Sequence, residues 1–196
     1  PSRPGRPRKP RVEWLGDRTP RPLRELLPGS RCPHIYMHRD GRDVAISNRG
    51  LSWGTPSMPR VAAAWGWETM VTRKLGRMIQ ANYMEVRYED LVQDPERELR
   101  RICAHIGECY DASTLDYHLT AEREMPQESL LWHRSSVRAP DREKVSQWRS
   151  RLSVSDRIIF EEYAGDALEE FGYPREFHPP TIRSRARMLV YAALGR

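Results

Sequence analysis

The stretch His34-Ile35-Tyr36-Met37-His38-Arg39-Asp40-Gly41-Arg42-Asp43-Val44-Ala45-Ile46-Ser47 decides the reading of this chain. Its first half is apolar and aromatic, as a strand requires, and Arg-Asp-Gly punctuates its end. Asp40 or Gly41 then stands near the cap of a helix that starts around Asp43 and runs to Arg49. Arg39 is thereby delivered at the C-terminal end of a strand, and Ser47 lies about one turn into the following helix. An anion at that edge meets a guanidinium, a hydroxyl and helix N-terminal amides together. Open α/β sheets bind ligands at the C-terminal ends of their strands. The same letters also allow an Arg–Asp surface network, because Arg39, Asp40, Arg42 and Asp43 can pair among themselves.

Downstream, Gly50 to Pro59 is a loop, and Pro59 suits the first turn of a long helix reaching about Ala81. The expected apolar face of that helix is Val61, Ala64, Trp65, Met70, Leu75, Met78 and Ile79. Tyr83 to Tyr88 alternates and reads as a second strand. Asp94-Pro95 opens a helix through Leu99, Ile102, Cys103 and Ile106, closed by Gly107. Residues 111–143 are polar, with weak helical signal. Lys144 to Leu152 reads as helical. Ser153-Val154-Ser155-Asp156 is a capping box with Asp in place of Glu. It opens a last helix with Ile158, Ile159, Tyr163, Ala167, Leu168 and Phe171 inward, ending at Gly172. Two strands separated by helices of this length imply parallel pairing in an α/β sheet. Upstream, Leu23, Leu26 and Leu27 make a short amphipathic helix that stops at Pro28-Gly29. The organisation expected is a basic Pro/Arg-rich arm over 1–13, one domain over 14–175, and a basic tail over 176–196.

Composition narrows the function classes. The 196 residues suit one domain, with 38% hydrophobic and 31% charged residues. No apolar run approaches the roughly 18 residues of a membrane span, and no secretory leader is read. The net charge is +6 and the pI about 9.5. Arginine carries most of the positive charge, which points to polyanionic ligands; a GC-rich genome, which swaps Lys for Arg, explains the same bias. Cys32, Cys103 and Cys109 form no CxxC and have no zinc spacing around them, so no metal is expected and a reduced, cytoplasmic setting is the simplest reading.

The Arg39-to-Ser47 segment resembles the 3′-phosphate motif of sulfotransferases that use PAPS (3′-phosphoadenosine-5′-phosphosulfate), of the bacterial and tyrosylprotein-sulfotransferase type. In that family an apolar strand is followed by Arg-Asp-x-Arg-Asp, with a serine eight residues after the first Arg. Two further blocks follow in the same order. Val86-Arg87-Tyr88-Glu89-Asp90-Leu91 is similar to the family's Tyr-Glu-Asp-Leu segment, whose Tyr lies beside adenine. Ser135-Ser136-Val137-Arg138 through Lys144-Val145-Ser146-Gln147-Trp148 resembles its closing segment. Trp148 itself is read as core packing.

The resemblance implies a three-layer, Rossmann-like parallel sheet of the phosphate-loop nucleotide-binding type, incomplete at its N-terminal side. It implies PAPS, or its product PAP, as the bound nucleotide, with Arg39 and Ser47 on the 3′-phosphate, Tyr88 on adenine, and Ser136, Arg138 and Lys144 as further nucleotide contacts. Trp14-Leu15-Gly16-Asp17-Arg18-Thr19-Pro20 is similar to the family's Lys-Thr-Pro segment, so Arg18 takes the place of the catalytic lysine near the transferring sulfuryl group. The family's 5′-phosphosulfate loop has no counterpart here.

The expected function is sulfuryl transfer from PAPS to an acceptor hydroxyl or amine, with a small molecule or carbohydrate as acceptor and self-association left open. The alternatives are a non-catalytic PAP-binding remnant and a basic nucleic-acid-binding module. No recognised signature supports the latter, so nucleic acid is not expected as a partner. Phosphate-loop kinases need a Gly-Lys-Ser/Thr loop that this chain lacks.

Overall fold

The computed structural model describes residues 33–50, 54, 57–79, 82–119, 139 and 141–177, with the Ile79 side chain excepted. The expected arm over 1–13, the Leu23–Leu27 helix and the 178–196 part of the expected tail lie outside the described residues.

Strand β1 (His34–His38) and strand β2 (Tyr83–Arg87) pair in parallel, with His34 opposite Tyr83 and His38 opposite Arg87. The crossover between them carries two helices, α1 (Gly41–Arg49) and α2 (Met58–Ile79). Beyond β2 come α3 (Tyr88–Gln93) and α4 (Pro95–Ile106). Short 3-10 turns at Ala112–Asp116 and Arg142–Lys144 lead to α5 (Trp148–Arg151) and α6 (Val154–Glu170). Among the described residues this is a helix-rich α/β arrangement around a small parallel sheet, as the strand–helix–strand pattern implied.

Local chemistry explains the boundaries. The Asp40 carboxylate accepts from the Arg42 amide and caps α1. Asp94 accepts from the Arg97 amide ahead of Pro95, and Gly107 ends α4 in the left-handed region at φ 74°. The Ser153 hydroxyl accepts from the Asp156 amide and opens α6, as the expected capping box required.

Helices α2 and α6 form the main packing interface. Its residues include Val61, Ala62, Trp65, Phe160, Ala164, Ala167 and Leu168, all buried. Tyr36 and His38 of β1 turn toward this core, while Ile35 and Met37 on the opposite face are 38% and 48% exposed. Gly41 sits where a Cβ would collide with Trp65 and Phe160. Glycine at the first residue of α1 therefore lets α1 enter directly over the two rings.

Several expectations from periodicity need correction. In α2, Ala64, Met70 and Met78 point outward, Met78 being 69% exposed. The buried stripe is Val61, Ala62, Trp65, Thr69 and Arg73. Where α6 comes closest the residues are small: a Cβ on Gly66 would lie 3.4 Å from that of Ala164. In α6, Ile158 is 43% exposed. The Lys144–Leu152 helix is in fact a 3-10 turn, a tight turn and the four-residue α5. Trp148 is 1% exposed, as its reading as core required. No helix among the described residues is long and apolar enough to cross a membrane.

Candidate functional site

The C-terminal ends of β1 and β2 lie side by side because the strands are parallel and in register. They deliver His38-Arg39-Asp40 next to Arg87-Tyr88-Glu89. The Glu89 carboxylate joins the two ends: it accepts from the Asp40 amide at 3.0 Å and from the Tyr173 hydroxyl at 3.0 Å.

Arg39 and Arg87 are the cations that the strand ends bring to this edge. Arg39 is the one expected on the phosphate. Its Nη2 donates to the Lys144 carbonyl and lies 3.4 Å from the Asp43 carboxylate. Its guanidinium stands over the Tyr88 ring, 4.7 Å from the centroid, a cation–π distance. Its Nε has no hydrogen-bond partner. Three expected nucleotide contacts, Arg39, Tyr88 and the Lys144 segment, are thus brought together. Lys144 enters through its carbonyl.

Ser47 needs a correction. It is the seventh residue of the nine-residue α1, about two turns in, and exposed. It shares a helix face with Asp43 through the four-residue spacing, while Arg39 precedes the α1 cap. It does not sit with the first-turn amides: the Arg42 amide is taken by the Asp40 side chain, and those of Asp43 and Val44 by the Asp40 carbonyl. An anion held between Arg39 and Ser47 therefore relies on side chains. Arg18, Ser136 and Arg138 lie outside the described residues.

The Arg–Asp letters divide their work. Arg42 is 0% exposed and bridges two carboxylates, donating to Asp40 at 2.8 and 3.0 Å and to Glu161 at 2.7 Å. Its guanidinium also lies 3.5 Å from the Trp148 ring centroid. Glu161 in turn accepts from the amides of Glu176 and Phe177. Arg42 and Asp40 belong to the frame, and Arg39 faces the site. Sequence reasoning missed the roles of Glu161 and Tyr173. The available signal was an acidic residue among Phe160, Tyr163 and Ala164 on the inner face of α6.

A cavity of about 200 Å³ opens beside this frame, lined by Arg87, Glu89, Ser146, Trp148, Arg149 and Tyr173 among others. Arg39, Ser47 and Tyr88 do not line it, whereas Arg87 at the end of β2 does. No group of three or more metal-ligating side chains exists among the described residues.

His38 Nδ1 lies 3.0 Å from the Tyr173 hydroxyl, which itself donates to Glu89. Burial holds the His38 imidazole down to about 4 from its usual 6.5. Between those values the unfolded chain binds the proton and the folded chain does not, so stability falls as pH falls from 6.5 toward 4. His38 is expected to account for roughly 2 kcal/mol of that loss. Urea unfolding of the wild type and His38→Gln across this range checks it, the variant giving a flatter profile.

The model of the sulfotransferase family matches residues 9–112, just over half of the chain. The chain belongs to the sulfotransferase family. It is 30% identical over 102 residues to the omega-hydroxy-beta-dihydromenaquinone-9 sulfotransferase Stf3 of Mycobacterium bovis, covering 50% of this chain and 21% of that protein. It is 26% identical over 190 residues to the nodulation protein NoeE of Sinorhizobium fredii, covering 81% and 44%. Carbohydrate sulfotransferase 7 of Rattus norvegicus is 29% identical over 167 residues, covering 78% and 33%. The chain thus spans less than half the length of these relatives. The family match covers β1, α1, α2, β2, α3 and α4, and so includes Arg39, Ser47 and Tyr88.

Proposed function

We propose that this sulfotransferase-family chain binds PAPS and serves transfer of its sulfuryl group to an acceptor hydroxyl or amine. The observation that carries the reading is the meeting of the Arg39 guanidinium, the Tyr88 ring and the Lys144 segment at the ends of two parallel strands. Arg39, ahead of the α1 cap, supplies charge for the 3′-phosphate, with Ser47 about two turns into α1. Tyr88 offers a flat partner for adenine. Ser136, Arg138 and Lys144 complete the nucleotide contacts in this reading, within a three-layer Rossmann-like sheet. Arg18 faces the sulfuryl group, where a fixed cation stabilises charge developing on its oxygens during in-line displacement.

In the reaction, the acceptor oxygen or nitrogen forms a bond to sulfur while the bond from sulfur to the 5′-phosphate oxygen breaks. PAP leaves, and the acceptor proton passes to a base. A carbohydrate or small-molecule acceptor is in keeping with the relatives' names. Free Cys103 and Cys109 fit a cytoplasmic setting.

Calorimetric titration of the 196-residue chain with PAP and with adenosine 5′-monophosphate (AMP) tests the reading. The expected result is at least a roughly tenfold preference for PAP, the size of one good charge-assisted contact. Equal affinities, or no binding, overturn it. PAP binding without turnover of PAPS on any carbohydrate or alcohol identifies the non-catalytic alternative.

A further inference from the structure

Asp43 is a charged residue that the proposed reading leaves without a task. It is 1% exposed, on the first turn of α1. Its two carboxylate oxygens are spent on another part of the chain: Oδ2 accepts from the Ser146 amide and Oδ1 from the Trp148 amide, each at 2.9 Å. Between those donors the backbone is unusual, because Ser146 has φ 60°, in the left-handed region that a serine rarely adopts. The turn that carries Lys144 is therefore tied at two points to one buried carboxylate. Lys144 then accepts from Arg39, which Asp43 also approaches at 3.4 Å. Arg39, the turn and Asp43 form a closed triangle.

We propose that Asp43 is the positioning residue of the 3′-phosphate site, setting the Lys144–Trp148 turn and the Arg39 guanidinium in fixed relation and thereby giving preference for nucleotides with a 3′-phosphate. This rests on the PAPS reading of Arg39 above. Removing Asp43 has two opposing effects. Its charge draws on the same guanidinium that a phosphate needs, so neutralising it strengthens the cation's pull on an anion. Its loss also frees the turn and the Arg39 rotamer. The geometry decides for the second effect. Both Asp43 oxygens are committed to backbone donors, and the approach to Arg39 is through Nη2, already engaged by Lys144. The Arg39 Nε is left without a hydrogen-bond partner. The ion pair thus orients the guanidinium without consuming all its donors.

The test uses the full chain, with PAP and AMP as probes in calorimetry. Asp43→Asn is expected to weaken PAP about tenfold while AMP changes less than about twofold, a coupling typical of residues in one network. In an Arg39→Ala background the same substitution is expected to change PAP affinity less than about twofold. Amide hydrogen exchange at Ser146 and Trp148 is expected to speed up in Asp43→Asn. An unchanged or increased PAP-to-AMP preference overturns the role, as does full additivity with Arg39→Ala. Circular dichroism checks the fold. If Asp43→Asn does not fold, Asp43→Glu, which keeps the charge but displaces the carboxylate by one methylene, takes its place: loss of the PAP preference supports the role and retention overturns it. If the wild type itself prefers PAP no more than AMP, the reading of the site falls and takes this role with it. If the wild type prefers PAP and the variant does too, only the role of Asp43 falls.

Discussion

Arg39→Ala is expected to weaken PAP binding about 10- to 100-fold and to leave AMP binding within about twofold. The factor follows from one charge-assisted contact to a phosphate, worth about 1.5–3 kcal/mol. The contrast with AMP follows from position: Arg39 stands at the end of β1 and can serve only a phosphate on that side of the nucleotide. The Arg39 side chain is 21% exposed and faces the site, outside the Arg42–Asp40–Glu161 frame. A Lys replacement recovers part of the charge and little of the geometry, since an ammonium cannot hold Lys144, the Tyr88 face and a phosphate at once. Calorimetry of the three proteins with both nucleotides reads the result directly. Equal losses for PAP and AMP assign Arg39 to the fold instead.

Arg42→Ala is expected to be the most damaging single change to stability. The Arg42 side chain has no solvent exposure and is shared by the Asp40 and Glu161 carboxylates, which are themselves buried. Truncation strands two buried carboxylates and empties the space over Trp148. Breaking a buried ion pair from one side costs about 3–5 kcal/mol. That is a large part of the total stability of a domain of this size, about 5–15 kcal/mol. Arg42→Lys is expected to rescue little, because one ammonium cannot reproduce the fork that meets both carboxylates. Guanidinium chloride unfolding measures the difference, and a loss below about 1 kcal/mol would contradict the buried bridge.

How much of this was readable from the sequence depends on the kind of signal. Caps and strand ends are local, and they were readable: Asp40, Asp94 with Pro95, Gly107 and Ser153 each act through neighbours a few residues away. The joining of Arg39 with Tyr88 was also within reach, because parallel strands place both at one edge. The inner face of α2 was readable only in part: Val61 and Trp65 are buried as expected. Met70 and Met78 were drawn into that face by their size, yet they stand outside it, since Gly66 and Ala62 permit a close approach that no apolar count reveals. The division of Arg39, Asp40, Arg42 and Asp43 into site and frame was equally hidden. It depends on Glu161 and on the amides of Ser146 and Trp148, more than 100 residues away.

That separation gives the molecule a timetable. Arg42 and its partner Glu161 are 119 residues apart. At synthesis rates of about 5–20 residues per second, roughly 6–24 s pass between their appearance on a ribosome. Through that interval the strand end bearing Arg39 already exists, but the α6 carboxylate that completes the α1 anchor does not. On the reading proposed above, nucleotide capture is thus a late event in the life of a nascent chain, and translation pauses ahead of α6 prolong the interval in which the edge is half built.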